Sequence, residues 1–176
     1  MTGRPGSTAR SSTSRDKSWP LKAVTSYRTP NMNPLNQSFA EDVARSFAQQ
    51  PIMSLIGARL SLVEPGVVEI SLPYRADLAQ QHGHLHAGVA TTIADSACGY
   101  AAFTLMPAGS NVLSVEFKVN LLRPAQGVEF VTRAEVIKAG RTLTVVRADV
   151  FAIDGNEERT LVATMQATMI GLHEKA

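Results

Sequence analysis

One long apolar run, residues 89–106, limits the folds open to this chain more than any other segment. The run, VATTIADSACGYAAFTLM, is rich in Ala, is too long for a single β-strand and stops at Pro107. The sequence therefore predicts a buried helix about 27 Å long, at about 1.5 Å per residue. A membrane span is not predicted, because Pro107 and Gly109 break the uncharged stretch that begins at Ser96.

Shorter periodic segments on both sides of this run predict the rest of the fold. Residues 38–49 have an amphipathic helical pattern, with Ser38 as a possible N-cap and Pro51 as a stop. Alternating or Val- and Thr-rich segments predict a hairpin and then four strands, at residues 58–63, 67–72, 112–122, 128–137, 141–153 and 160–170. This order predicts an α+β fold, in which a meander of four strands wraps the long helix.

Charge and composition divide the chain into two parts. Residues 1–31 carry six Lys or Arg and one Asp, a balance of +5, whereas the whole chain sums to +2, which leaves −3 for residues 32–176. We expect a disordered basic extension over residues 1–37 and one folded domain over residues 38–176. An organelle transit peptide, a passive extension and a wrongly assigned start before Met32 stay open as explanations of the extension. Neither a nucleic acid nor a membrane is expected as a partner.

The single cysteine and the single charge of the long run differ in what they suggest. Cys98 lies among small apolar residues, which indicates a packed thiol in a reducing, cytoplasmic protein. Asp95 would be costly in a buried helix unless it has partners or a chemical use. A solvated stripe on the helix is the alternative, and the small residues Thr91 and Gly99 beside Asp95 favour a site slightly because they leave room for a ligand.

The segment QQHGHLHAG, residues 80–88, precedes the helix and offers two kinds of site. Backbone N–H groups near Ala87, at the positive end of the helix dipole, can stabilise a developing negative charge on oxygen. With Asp95, they suggest hydrolysis of an activated acyl group. The two residues lie eight positions apart, about 12 Å along a helix, so one chain cannot bring both to one substrate. Two antiparallel helices in a twofold dimer would do so.

The same residues resemble the signature of a known family, the PaaI-like acyl-CoA thioesterases of the hot-dog fold. The family pattern is Asn-x-x-Gly-x-x-His-Gly-Gly, then an Asp in a helix of small residues, then a Val-Ser/Thr strand that ends in Pro-Ala. The matching residues here are Gln80, Gly83, His86, Ala87, Gly88, Asp95 and Ser114. The likeness spans roughly residues 40–172, with Gln in place of the usual Asn and Ala in place of the first Gly of the pair.

The resemblance implies a fold, an activity and roles for these residues. The fold is a long central helix wrapped by a curved antiparallel sheet, with active sites at the interface of a homodimer, often within a homotetramer. The activity is hydrolysis of an acyl-CoA thioester, with no cofactor or metal. Asp95 would be the general base or nucleophile, and the N–H of Ala87 would polarise the carbonyl. The remaining residues would orient water or contact the substrate: Ser114, Gln80, His86 and Gly88.

Other readings of the sequence lead to different functions. His82, His84 and His86 share one face if the segment is extended, which would suit a zinc hydrolase. A non-catalytic acyl-CoA-binding module and a dehydratase are possible on the same fold. The acyl chain is not identified by the sequence, and aromatic, medium and long chains stay open. Six further residues are either substrate contacts or plain core and surface: Tyr100, Phe103, Leu113, Lys118, Arg123 and Arg141.

Overall fold

The computed structural model describes residues 32–173, so most of the predicted basic extension, residues 1–31, lies outside the described residues. The described part begins with Met32, whose side chain packs against the hydrophobic core. Among these residues, no helix combines the length and the hydropathy that crossing a membrane requires.

Three helices, one short 3-10 turn and six strands follow one another along this part of the chain. They are α1 (Phe39–Ala48), α2 (Pro51–Ile56), β1 (Arg59–Glu64), β2 (Val67–Pro73), a 3-10 turn (Ala76–Leu78), α3 (Ala87–Phe103), β3 (Ser110–Leu121), β4 (Glu129–Ala139), β5 (Leu143–Ile153) and β6 (Arg159–His173). The predicted elements lie within a few residues of these bounds. The exception is α2, which the sequence did not predict.

Helix α2 begins at the proline that was predicted to stop α1. Pro51 occupies the first position of α2, where the missing N–H of proline costs nothing and its fixed φ suits a helix. The helix ends after one and a half turns at Gly57, whose φ of 80° is easily adopted only by glycine. A segment this short has too few turns for its apolar period to be recognised.

The six strands form one antiparallel sheet in the order β1-β2-β4-β5-β6-β3. The predicted meander of four strands is therefore wrong in one respect. Strands β4, β5 and β6 are neighbours in sequence order, but β3 pairs with β6 at the edge and not with β4. The connection over residues 122–128 is too long for a tight hairpin and crosses past β6 and β5 to reach β4. Strand pattern alone does not record such a crossing.

Helix α3 lies on the sheet and contacts β2 to β6. Its buried residues are mostly Ala, which lets the helix axis approach the strands closely, while larger side chains such as Ile93, Phe130 and Met165 fill the space between the layers. The long helix and the curved antiparallel sheet confirm the predicted α+β hot-dog fold. They also fix the position of α3, which begins at Ala87 and carries Asp95 midway along its length.

The crossing connection between β3 and β4 holds the loop before α3 in place. Leu85 N–H donates to the carbonyl oxygen of Ala125 at 2.9 Å. At Gly127 the connection runs so close to β5 that a Cβ atom would lie 2.6 Å from the carbonyl oxygen of Ile153, so only glycine fits there. The sheet therefore fixes the loop through its backbone.

Thr104 joins the end of α3 to the β1–β2 turn, and its removal gives a test of the fold. The hydroxyl of this fully buried residue accepts from Gly66 N–H at 2.7 Å and donates to the carbonyl oxygen of Ala101 at 2.7 Å. We expect Thr104→Val to lower the free energy of unfolding by about 1–3 kcal/mol, because the buried Gly66 N–H loses its acceptor. Urea denaturation measures this, and Thr104→Ser, which keeps the hydroxyl, should cost clearly less than Thr104→Val.

Candidate active site

The loop over residues 79–86 is a closed turn stabilised by backbone hydrogen bonds. Gln80 N–H donates to the carbonyl oxygen of His84 at 2.8 Å, and Gly83 N–H donates to that of Gln80 at 2.9 Å. Gly83 has a φ of 82° and its carbonyl oxygen accepts from the Tyr74 hydroxyl at 3.1 Å. The segment is thus a turn and not the extended strand on which the zinc interpretation depended.

His86 caps the start of α3 with its side chain and with its carbonyl. Its Nδ1 accepts from Gly88 N–H at 2.9 Å. Its carbonyl oxygen accepts from Val89 N–H at 2.9 Å and from Ala90 N–H at 3.2 Å. Three of the first four N–H groups of the helix are therefore used, and within residues 32–173 the N–H of Ala87 makes no hydrogen bond.

Ala87 lies in a cleft, here called the Ala87 cleft, with a volume of about 250 Å³. Gln80, His84 and Arg123 line the same cleft, together with apolar residues of α3 and β6. Arg123 donates from Nη1 to the carbonyl oxygen of Leu161 at 3.0 Å, which leaves the rest of its guanidinium free to meet a ligand. The cleft thus combines an unused N–H at a helix start with a cation and an apolar wall.

Gln80 and His84 differ in how their side chains are used. Gln80 Oε1 accepts from His82 N–H at 2.5 Å, so the carboxamide is held to the loop and its NH₂ group stays available. His84 Nδ1 is buried and has no hydrogen-bond partner among the described residues. Sequence reasoning did not single out His84 apart from the zinc reading, yet it is a cleft-lining residue with an unused polar atom.

Asp95 lies in a second cleft, here called the Asp95 cleft, with a volume of about 270 Å³. Ser114, at the exposed edge strand β3, donates from Oγ to Asp95 Oδ1 at 2.6 Å. A charge-assisted hydrogen bond of this length fixes the carboxylate and leaves Oδ2 free to accept a proton. The structure therefore places two of the predicted site residues in direct contact.

The two clefts are separate within one chain. No described residue lines both of them. Ala87 and Asp95 stand at eight positions' distance on α3, about 12 Å along the axis. Within one chain, Ala87 and Asp95 therefore lie in separate clefts and cannot meet one reacting group.

Two buried groups near Asp95 are not nucleophiles. Burial, reinforced by the charge of Asp95, raises the pKa of the Cys98 thiol far above its usual range, so it stays protonated at neutral pH. Burial also raises the pKa of Tyr100, although the hydrogen bond with Ser46 partly opposes the shift. Both side chains are therefore uncharged at neutral pH.

The three histidines of residues 82–86 do not meet as a ligand set. His82 is exposed, His84 lines the Ala87 cleft, and His86 uses Nδ1 to cap α3. In the part of the chain that the structure describes, no three His, Cys, Asp or Glu residues are grouped so that they could hold a metal ion.

Of the residues named as substrate contacts or core, Tyr100, Phe103 and Leu113 line the Asp95 cleft. Helix α1 and its junction with α2 add two residues that sequence reasoning missed, Ser46 and Gln50. The amphipathic pattern of α1 could not identify these two residues as part of the cleft, because the packing of α1 across α3 is a tertiary feature.

Ser114 can be tested by removing its hydroxyl. If the 2.6 Å hydrogen bond to Asp95 positions the carboxylate, Ser114→Ala should lower kcat for the hydrolysis that the sequence predicts by about 10- to 100-fold. Ser114→Thr keeps the hydroxyl and suits a strand, so it should retain most of the rate. Steady-state kinetics with both variants makes the comparison, and equal rates for Ser114→Ala and the unmodified protein would show that Ser114 does not position the carboxylate.

Comparison with known proteins relates this arrangement to a family. Residues 82–158 match the model of the thioesterase superfamily. The chain is 52% identical to a thioesterase family protein from Silicibacter pomeroyi, covering 77% of this chain and 98% of that one with a TM-score of 0.75. The Escherichia coli PaaI protein from the phenylacetic acid degradation operon shares the fold at 16% identity, with coverage of 78% and 96% and a TM-score of 0.68.

Proposed function

Because this chain belongs to the thioesterase superfamily and has the hot-dog fold, we propose that the thioesters it hydrolyses are those of coenzyme A, to a free acid and coenzyme A. The observation that carries the proposal is the division of polar groups along α3. The N–H of Ala87, at the start of the helix, has no partner among residues 32–173, and Asp95 is a fixed carboxylate two turns further on. Thioester hydrolysis needs one group of each kind.

Each group has a defined part in the reaction. The Ala87 N–H, aided by the helix dipole, stabilises the oxygen of the thioester as it gains negative charge. Asp95 Oδ2 removes a proton from a water molecule as that water attacks the carbonyl carbon, while Ser114 holds Oδ1. Collapse of the tetrahedral intermediate breaks the C–S bond. Coenzyme A leaves as a thiolate, because the pKa of a thiol is about 8.5, and the proton on Asp95 returns to solvent.

A direct attack by Asp95 on the carbonyl is the other form of the same proposal. It would give a mixed anhydride that water then hydrolyses. In both forms, Gln80 contributes its free NH₂ group to the carbonyl or to the water, and the cap formed by His86 and Gly88 holds the Ala87 N–H in position.

In this proposal the Ala87 cleft and the Asp95 cleft are two halves of one active site, which a second subunit must complete. Strand β3 is an edge strand of 12 residues, and its apolar side chains are exposed: Leu113 56%, Val115 53%, Phe117 43% and Leu121 58%. No other described strand pairs with the outer edge of β3, and an apolar edge of this length is a surface that pairs with another strand. Pairing of two β3 edges about a twofold axis would bring the Ala87 cleft of one subunit to the Asp95 cleft of the other.

Arg123 and Cys98 bear on two further parts of the proposal, the binding of coenzyme A and the cellular compartment. Arg123, at the rim of the Ala87 cleft, is suited to a phosphate of coenzyme A. The free, buried thiol of Cys98 suits a reducing, cytoplasmic setting. A homotetramer built from two such dimers is the assembly that we propose in addition to the dimer.

Thiol release tests the proposal directly. Purified protein is incubated with a panel of acyl-CoA thioesters, and free thiol is measured with a colorimetric reagent. We expect release from at least one acyl-CoA, from a species that is at least dimeric by light scattering. Binding of acyl-CoA without thiol release would support the non-catalytic module instead.

A further inference from the structure

The wall of the Asp95 cleft opposite β3 is polar, although acyl pockets are usually lined by apolar side chains. Four residues form this polar wall: Ser46, Gln50, Ser96 and Tyr100. They come from α1, from the α1–α2 junction and from α3, so folding brings them together from distant parts of the chain. A saturated acyl chain would find few apolar side chains to pack against on this wall.

The polar wall has hydrogen-bonding capacity that the described part of the chain leaves unused. The hydroxyls of Tyr100 and Ser46 are 3.3 Å apart, and Ser96 Oγ donates to Gln50 Oε1 at 3.4 Å. Both distances are long for hydroxyl donors, whose usual distance is about 2.7–2.8 Å. The Tyr100–Ser46 contact uses one of two hydroxyl protons, so a donor and several lone pairs remain.

Gln50 adds further donors. It is the N-cap residue of α2, yet its side chain makes no capping hydrogen bond. Its NH₂ group therefore has no partner among residues 32–173, while its Oε1 accepts from Ser96. A hydrocarbon in the cleft would remove water from these groups without replacing the hydrogen bonds that the water makes.

Gly99 leaves space between Asp95 and the polar wall. It follows Asp95 by one helical turn and lines the same cleft. A Cβ atom at Gly99 would meet no atom closer than Val112 Cγ1 at 4.0 Å, so packing within the chain does not demand glycine. Since glycine weakens a helix interior relative to alanine, its use here is explained by the room that it gives to an acyl group.

We propose, on the premise that the chain is an acyl-CoA thioesterase, that its preferred acyl groups carry a hydrogen-bonding oxygen at the end remote from the thioester. Tyr100, with Ser46 and Gln50, is the specificity-determining element that binds this oxygen. Tyr100 lies five residues beyond Asp95, about 7.5 Å along the helix, which sets the reach from the carbonyl carbon. The carrier of the oxygen is either a linear chain or a ring of this length.

Matched substrate pairs test the proposal. The first pair is hexanoyl-CoA and 6-hydroxyhexanoyl-CoA, and the second is 3-phenylpropanoyl-CoA and 3-(4-hydroxyphenyl)propanoyl-CoA. We expect kcat/KM to favour the hydroxylated member of at least one pair by about tenfold or more, because a site with unused polar groups discriminates against the apolar analogue. The pair with the larger ratio identifies the carrier.

Substitutions in the polar wall assign the preference to Tyr100 and Ser46. Tyr100→Phe keeps the ring that packs on Phe47 at a centroid distance of 5.9 Å, so the fold should persist, and thermal melting checks this. We expect Tyr100→Phe, and more so Tyr100→Phe with Ser46→Ala, to bring the ratio of each favoured pair towards one. Ser54→Ala makes a similar change on the exposed face of α2 and should leave the ratio as it is.

The outcomes separate this inference from the function on which it rests. Thiol release without preference for either hydroxylated substrate overturns the inference and leaves the thioesterase activity standing. A preference that Tyr100→Phe and the double variant do not change also overturns the role of the polar wall. Absence of thiol release from every acyl-CoA overturns the proposed function itself, and the inference with it.

Discussion

Asp95→Asn is expected to lower kcat for acyl-CoA hydrolysis by about 10³-fold, with little change in the binding of the substrate. Asn has nearly the shape of Asp and can still accept the hydrogen bond from Ser114, but it cannot take a proton from water or attack a carbonyl. The measurement is thiol release under saturating substrate, combined with the dissociation constant of acyl-CoA by calorimetry.

A control separates the loss of chemistry from a general loss of charge. Asp77 is an exposed carboxylate in a surface ion pair with Arg75 and lines neither cleft, so Asp77→Asn should keep the full rate. If Asp95→Asn retained more than a tenth of the rate, Asp95 would not be the base or the nucleophile.

Ala87→Pro is expected to lower kcat by about 10²- to 10³-fold, because proline has no N–H to stabilise the oxygen of the substrate. The change is otherwise well matched to the backbone. Proline suits the first position of a helix, and His86 before it already has φ of −62° and ψ of 135°, the extended conformation that precedes proline. The lost N–H makes no hydrogen bond among the described residues, so the melting temperature should change little.

Ala87→Val is the control for the bulk of the proline ring. Valine adds a similar number of carbon atoms to the Ala87 cleft but retains the N–H. We expect Ala87→Val to keep kcat within about tenfold of the unmodified protein and to act mainly on KM. Equal losses in kcat for the two variants would mean that space, and not the N–H, is what Ala87 provides.

Mixing the two inactive variants tests whether the site is shared between subunits. If Ala87 of one subunit acts with Asp95 of the other, a mixed dimer of Ala87→Pro and Asp95→Asn chains has one intact site and one site with both defects. Random assembly of equal amounts then restores about a quarter of the original activity. If each site used Ala87 and Asp95 of the same chain, no activity would return after the variants are unfolded and refolded together.

The sequence could predict the spacing of those candidate site residues that lie on one helix. Ala87 and Asp95 are both in α3, so their separation follows from the helical rise and did not need a structure. Ser114 was named only through the resemblance to a family, and the structure adds its contact with Asp95. Periodicity could not reveal that Ser46 contacts Tyr100 and that Gln50 contacts Ser96, because these contacts depend on how α1 packs across α3.

The sheet shows the same limit. Strand positions were predicted within a few residues, since alternation and turn residues are local signals. The pairing of β3 with β6 was not, because it depends on the crossing connection and not on the strand itself. The short helix α2 is not predicted for the opposite reason, since its local signal is brief and Pro51, which occupies its first position, also suits the end of α1.

The hydrogen bond from Leu85 to Ala125 ties the loop before α3 to the connection between β3 and β4, so the loop takes its conformation when the sheet folds and not when a ligand binds. Order in the loop is therefore part of the cost of folding, and little remains to be arranged when a thioester arrives. Heating should then remove catalysis and tertiary structure together, in one transition, instead of silencing the enzyme at a temperature where its core is still intact.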